Sequence, residues 1–487
     1  MTRTKSITKN YMYALSYQVI LLFSPLVVTP YVSRVLGATG IGIYSYVQSI
    51  ATYFCTFGAI GSSLYAQREI ARNQDNLVNR SRLFFEILFL RIITVSCNLG
   101  VYLFAYMRVS EYSLVAAIFA IDIFAVMIDI SWLYQGMEEF KLIVTRNILI
   151  KLLGIALIFL FVKSQEDLRI YAACHSVPVI LGNFTLWANS KRYCSYTEVK
   201  NVSIRGVLSH FKPVLILFVP VLASQIYTVL DKTMLGLLAE NIDQVGFYEQ
   251  AQKIIKIALM SITTLGTVLL PRISKAIADN NTQSIFRYMK KSFALIFALG
   301  FPIMFGIIGI ASKFVPWFYG EGFKPVEGLL ILLSPIVIII GLSSTVGYQY
   351  MIAARQQKYY SISIILGALT NIILNFVLIP KFQAIGAILA SLAAELMVTA
   401  IQLYAVKKML PLLSFMSCAP MYFTFSIIMA ICVYLVGTLF QSASFLITLL
   451  QVVVGILIYI LILLLTKDPY IIDGINMLRK RNMSSAL

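Results

Sequence analysis

Charge is scarce in this sequence: 39 basic and 21 acidic side chains among 487 residues make up 12% of it, about half the ~25% of an ordinary soluble protein. That poverty excludes a water-soluble enzyme and a disordered chain alike. Histidine is nearly missing, with only His175 and His210, which argues against a zinc site or a histidine-dependent catalytic triad. The six cysteines (Cys55, Cys97, Cys174, Cys194, Cys418, Cys432) include no CxxC pair, so neither a disulfide framework nor thiolate metal ligation is expected. Phosphate-cradling glycine loops and catalytically spaced carboxylate pairs are absent as well. No polar loop is long enough to hold a soluble domain. Strict two-residue alternation, the mark of a membrane β-barrel, is missing too.

What is present is apolar. Hydrophobic residues make up 59% of the chain and mean hydropathy is +0.85. A helix needs about 20 apolar residues to cross ~30 Å of hydrocarbon. Fourteen such stretches are expected, near 11–33, 41–64, 84–107, 112–134, 142–162, 168–188, 211–238, 245–270, 288–312, 327–352, 360–380, 384–405, 415–439 and 444–466. Gly or charge interrupts the second, seventh and twelfth. The fold class expected is an all-α polytopic membrane protein. The first stretch is too long for a cleaved signal and is read as a retained helix. With the N-terminus inside, the inner loops carry 27 Lys and Arg and the outer loops seven, which sets the orientation and places both termini in the cytoplasm. The formal charge of +18 is then a property of cytoplasmic loops and not of a nucleic-acid binder.

The sequence also repeats itself. VILLFSPLVV (19–28) parallels VLILFVPVLA (214–223), and GIYSYVQSI (42–50) parallels GFYEQAQKI (246–254). Both matches pair helices of the same direction, so a parallel repeat is expected. It gives an N-terminal lobe of six helices (1–210), a second six-helix lobe (211–410), and two further helices with a basic cytoplasmic tail (411–487). Pro25 and Pro220 occupy equivalent places. Proline inside a helix removes a hydrogen bond and kinks the axis, and matched interruptions in two halves point to a hinge or gate.

The stretch TPYVSRVLGATGIGIYSYVQSIATYF (29–54), the segment YAQREIAR (65–72), and LDKTMLGLLAENIDQVGFYEQAQKI (230–254) with LPRIS (270–274) resemble a known family. This is the polysaccharide-transporter branch of the multidrug/oligosaccharidyl-lipid/polysaccharide flippase superfamily, the O-antigen and capsule repeat-unit flippases of bacteria. Ala66 stands where that family commonly has Gly. The resemblance implies a transporter in the bacterial inner membrane, not an enzyme. Its cargo is an undecaprenyl-pyrophosphate-linked oligosaccharide, carried to the outer leaflet by alternating access around a central cavity. Partner enzymes are a polysaccharide polymerase and glycosyltransferases. No cofactor is expected beyond coupling to a proton or sodium gradient.

Ionisable residues inside spans are costly and usually face a cavity or a partner. The basic ones are Arg91, Lys151, Lys232, Lys253 and Lys256; the acidic ones include Asp122, Asp129, Asp231 and Glu395. Lys151 lies about 13 Å into the fifth span, and Lys253 and Lys256 about 12 and 16 Å into the eighth, at ~1.5 Å per residue. No acid lies within four residues of Lys151 or Lys256, whereas Glu249 precedes Lys253 by one turn. A pyrophosphate needs compact cations or guanidinium forks. The expected substrate contacts are therefore Lys151 and Lys256 first, then Lys253, Arg91, Lys232 and the rim residue Arg34. Asp122, Asp129 and Glu395 are candidates for ion coupling, and Tyr44, Tyr46, Tyr53, Tyr227 and Tyr248 for a sugar path. Two rivals are a multidrug or cation antiporter of the same superfamily and, from another class, a polytopic polysaccharide polymerase. The first wants unpaired carboxylates, the second a large catalytic loop.

Overall fold

The computed structural model describes residues 7–106 and 111–468. Every regular element among them is helical and no strand occurs. That outcome follows from the solvent: in hydrocarbon a backbone must satisfy its own polar groups, and a helix does so within one segment. Nine helical stretches among the described residues are long and apolar enough to span a membrane, and two of them, Ile20–Arg72 and Gln357–Val406, are 53 and 50 residues long. The protein is a multi-pass membrane protein.

The chain forms two compact units, Met1–Glu249 and Gln250–Leu487. The first contains α1 (Ile7–Ala59), α2 (Ser62–Arg72), α3 (Leu77–Val101), α4 (Ser113–Ile128), α5 (Ser131–Gly136), α6 (Phe140–Phe161), α7 (Leu168–Ser190), α8 (Ile204–Ser209), α9 (Phe211–Leu238) and the start of α10 (Asp243–Ala278). Helix α1 runs on through Pro25 and Pro30 and breaks at Gly37, with φ 67° and ψ −177°. That backbone is open to glycine and strained for other residues. The first two expected stretches are thus separate helical arms on either side of that break. The seventh and twelfth stretches stay helical despite their Gly and charges, whereas the second breaks at Ile60 and Gly61, both at positive φ, between α1 and α2. The fourth breaks, where Asp129 adopts an extended conformation between α4 and α5. Around that break sits the core of the unit, built on Phe84, Ile87, Trp132, Leu133 and Tyr134.

The second unit holds the rest of α10, then α11 (Thr282–Tyr319), α12 (Pro325–Leu333), α13 (Ile336–Ser343), α14 (Gln357–Val406), α15 (Leu412–Met416), α16 (Ala419–Thr438) and α17 (Phe445–Leu465). Its core gathers Met289, Phe293, Phe297, Val346, Met351, Phe415 and Tyr422. Helix α14 turns a corner at Gln383, with φ 55°. Between α13 and α14, Ser344–Met351 winds as a wide π-helix, where Gln349 accepts a hydrogen bond from Ser292 at 2.9 Å. An apolar cavity of about 390 Å³ opens between α11, α16 and α17, lined by residues such as Pro302, Gly306, Met429 and Gly455.

Candidate functional site

The break in the fourth span sets up the first cluster. A helix that stops inside a bundle leaves its last carbonyls without partners, and here side chains from two neighbours supply them. Asn183 donates to Ala125 O at 2.8 Å, Arg91 Nε to Val126 O at 2.7 Å, and Trp187 Nε1 to Ile128 O at 2.7 Å. The Asp129 carboxylate accepts from the Ser131 backbone N–H at 3.0 Å and from its hydroxyl at 2.9 Å. Two guanidiniums flank that carboxylate, Arg91 Nη2 at 3.8 Å and Arg146 Nη1 at 3.9 Å. The structure therefore brings together Arg91, expected at the substrate, and Asp129, expected in ion coupling. It adds Arg146, which the loop count assigns to the cytoplasm and which lies six residues inside α6. Its place within the stretch 142–162 was the available signal.

Lys151 projects from the same helix, half-buried, with no hydrogen bond or ion pair among the described residues. Asp122 on α4 is half-buried and likewise makes no ion pair among the described residues. Lys253 is half-buried and Lys256 exposed along α10, and Arg34 is exposed near the end of the first arm of α1. Glu395 is buried in α14. Lys232 reaches Glu249 at 2.7 Å, and Tyr248 donates to Asp231 at 2.6 Å. Tyr44, Tyr46 and Tyr248 are buried. Tyr44 packs against Tyr171 and His175, with ring centroids 4.7 and 5.5 Å away. Pro25 sits half-buried within α1. Pro220 falls on a turn of α9 whose side chains lie outside the described residues, as does Tyr227.

Where the second arm of α1 begins, it meets the start of α10 at two glycines. A Cβ added to Gly42 would strike the carbonyl oxygen of Ile242, and one added to Gly246 would strike that of Ala38. Each glycine thus abuts the residue four places before the other. Gly42 and Gly246 are equivalent in the internal repeat, and so are Ala38 and Ile242. A third equivalent pair closes the contact, with Thr39 Oγ1 donating to Asp243 Oδ1 at 2.6 Å. At the other end of the unit, the YAQREIAR segment is anchored by its tyrosine. Tyr65 is hydrogen-bonded to His210 at 2.8 Å, and His210 to Glu86 at 3.1 Å. Glu86 also pairs with Arg82 at 3.0 Å. That segment ties α2 and α3 to the start of α9.

Comparison with known proteins places this architecture. A protein of Escherichia coli (strain K12) named "Putative O-antigen transporter" is 26% identical over 410 residues, covering 84% of this chain and 98% of that one. Lipid II flippase MurJ of Bacillus subtilis (strain 168) is 31% identical over 143 residues, 29% of this chain and 26% of that protein. In three dimensions the chain is similar to a lipid II flippase MurJ solved in an inward closed conformation. That likeness has TM-score 0.75 at 18% identity, over 95% of this chain and 100% of that one, and shows a shared fold. The family model described as polysaccharide biosynthesis protein matches residues 7–277, more than half of the sequence, and the chain belongs to that family, within the multidrug/oligosaccharidyl-lipid/polysaccharide flippase superfamily.

Proposed function

We propose that this protein moves an undecaprenyl-pyrophosphate-linked oligosaccharide repeat unit from the inner to the outer leaflet of a bacterial cell membrane, by alternating access. Lys151 is the observation that carries this reading. A lysine about midway along a membrane helix, half-buried and without an ion-pair partner among the described residues, suits an anionic guest. The relative named as an O-antigen transporter, similar over most of both chains, supports the cargo class. The crossing at Gly42 and Gly246 supports the mechanism, because a small-residue contact between two equivalent helices can close one end of a path and part again. On this reading the six-helix lobes are 1–210 and 211–410. Reconstituted in vesicles with a labelled lipid-linked oligosaccharide, the protein should make the label accessible on the far leaflet; no transfer above protein-free vesicles would refute the assignment.

One observation favours a second reading, a cation antiporter. Asp122 is a carboxylate within a span that makes no ion pair among the described residues. Export of lipophilic cations, with no movement of lipid-linked sugar in the same vesicles, would establish it.

The fourteen-span topology has its own test. Cysteines placed near residue 5 and near residue 480 should be shielded from an impermeant thiol reagent outside intact cells, while residues 380–383, at the corner of α14, should label. A terminus that labels from outside makes the span count wrong by at least one.

A further inference from the structure

We propose that Arg91, Arg146 and Asp129 form a diphosphate-binding site in which the aspartate holds the place of the incoming anion. The proposal rests on the flippase reading and names where the charged head group is first held. Two permanent cations share one carboxylate, leaving the cluster one positive charge in excess. The arginine side chains are 3% and 14% exposed, and that of Asp129 25%. A guanidinium that fully engages a carboxylate makes parallel bonds of about 2.7–2.9 Å. Here the separations are 3.8 and 3.9 Å. Asp129 spends its oxygens on Ser131 instead. It is near enough to offset the arginines and too far to saturate them.

The cations themselves are held in place. Arg91 is fixed by Val126 O and by Ser63 Oγ at 3.0 Å. Arg146 donates to Asn183 Oδ1 at 2.5 Å and to Asn147 Oδ1 at 3.1 and 2.7 Å. Both amides are neutral acceptors, so a phosphoryl oxygen, which bonds more strongly to a guanidinium, can replace them. Tyr17 of α1 also lies close enough to Arg146 to feel its charge. A rigid pair of forks with a surplus charge, meeting at a carboxylate that is 25% exposed, is suited to the two phosphoryl groups of a lipid diphosphate. Arg146 lies about 9 Å along α6 from Phe140 and Lys151 about 7–8 Å farther, at ~1.5 Å per residue. The head group would meet the arginines first and the lysine next.

The test uses the full-length protein in detergent with inorganic pyrophosphate as probe, measured by calorimetry. Arg146→Gln should weaken binding at least tenfold, and Arg146→Lys less. Asp129→Asn should tighten it severalfold, because the resident negative charge is gone. A purely structural triad predicts the opposite sign, since loss of Asp129 leaves two like charges unopposed and the site distorted. Weaker or unchanged binding in Asp129→Asn, with the protein still monodisperse and melting cooperatively, overturns the proposal; so does normal binding in Arg146→Gln. Undecaprenyl pyrophosphate in micelles should compete with the probe and orthophosphate should compete poorly. Failure of the lipid to compete limits the site to free anions and also overturns the proposal. Intact probe binding without lipid flipping would instead count against the flippase reading and leave the site standing.

Discussion

Gly42→Ala and Gly246→Ala should each abolish export while leaving the protein in the membrane at normal abundance. An added methyl at either position meets a backbone carbonyl oxygen at a separation that Cβ atoms do not show. Backbone cannot swing aside as a flexible side chain can, so the helices must part. Overpacking of this kind costs about 1–3 kcal/mol. In a transporter that balances two states, that shifts the populations by roughly ten- to a hundredfold. On the topology with both termini inside, this crossing lies at the outer end of the bundle. The alanine variants should therefore stay open to the outside and fail to reset. Cysteines replacing Thr39 and Asp243, whose side chains are hydrogen-bonded at 2.6 Å, report the state: a thiol cross-linker should join them in the parent background and much less in Gly42→Ala. Cross-linking should itself arrest export. Full export with the crossing locked would mean that this end never opens, and alternating access through it would be wrong.

The second large effect is expected at the two lysines. Lys151→Glu combined with Lys256→Glu should eliminate surface polysaccharide at matched protein level. Single Lys→Ala changes should weaken substrate binding about ten- to a hundredfold, since a charge-assisted contact to phosphate contributes about 1.5–3 kcal/mol. Lys→Arg should retain much of the activity, and Lys→Glu should be worse than Ala because it repels the diphosphate. Lys151 lies on α6 of the first unit and Lys256 on the part of α10 that belongs to the second. Normal export by the double Glu variant would move the clamp to Arg91, Lys232 or Lys253. Lys232 is the weaker substitute, because Glu249 already engages it at 2.7 Å.

The helical, multi-pass fold was legible because hydropathy acts locally. Each stretch of about 20 apolar residues decides its own fate in hydrocarbon, whatever the rest of the chain does. At Gly37 and Gln383 the backbone leaves helical geometry, in the gaps between the first and second and between the eleventh and twelfth apolar stretches, so the sequence separates the arms that meet there. The break at Asp129 gave no hydropathy signal, since α4 and α5 together still read as one apolar run.

The candidate site divided along the same line. The sequence by itself determined which residues are ionisable and, Arg146 excepted, which lie within spans, because charge and position are properties of single residues. It also exposed the repeat that makes Gly42 and Gly246 equivalent. Only the tertiary structure decided which of those residues meet. Arg91, Asp129 and Arg146 come from three helices, and their pairing depends on which face of each helix turns inward. The hydropathy of helices apolar on every side does not encode that choice. The same holds for the glycine crossing. Two residues 204 positions apart touch because neither has a side chain, a condition visible in the sequence only once the geometry shows that their backbones approach.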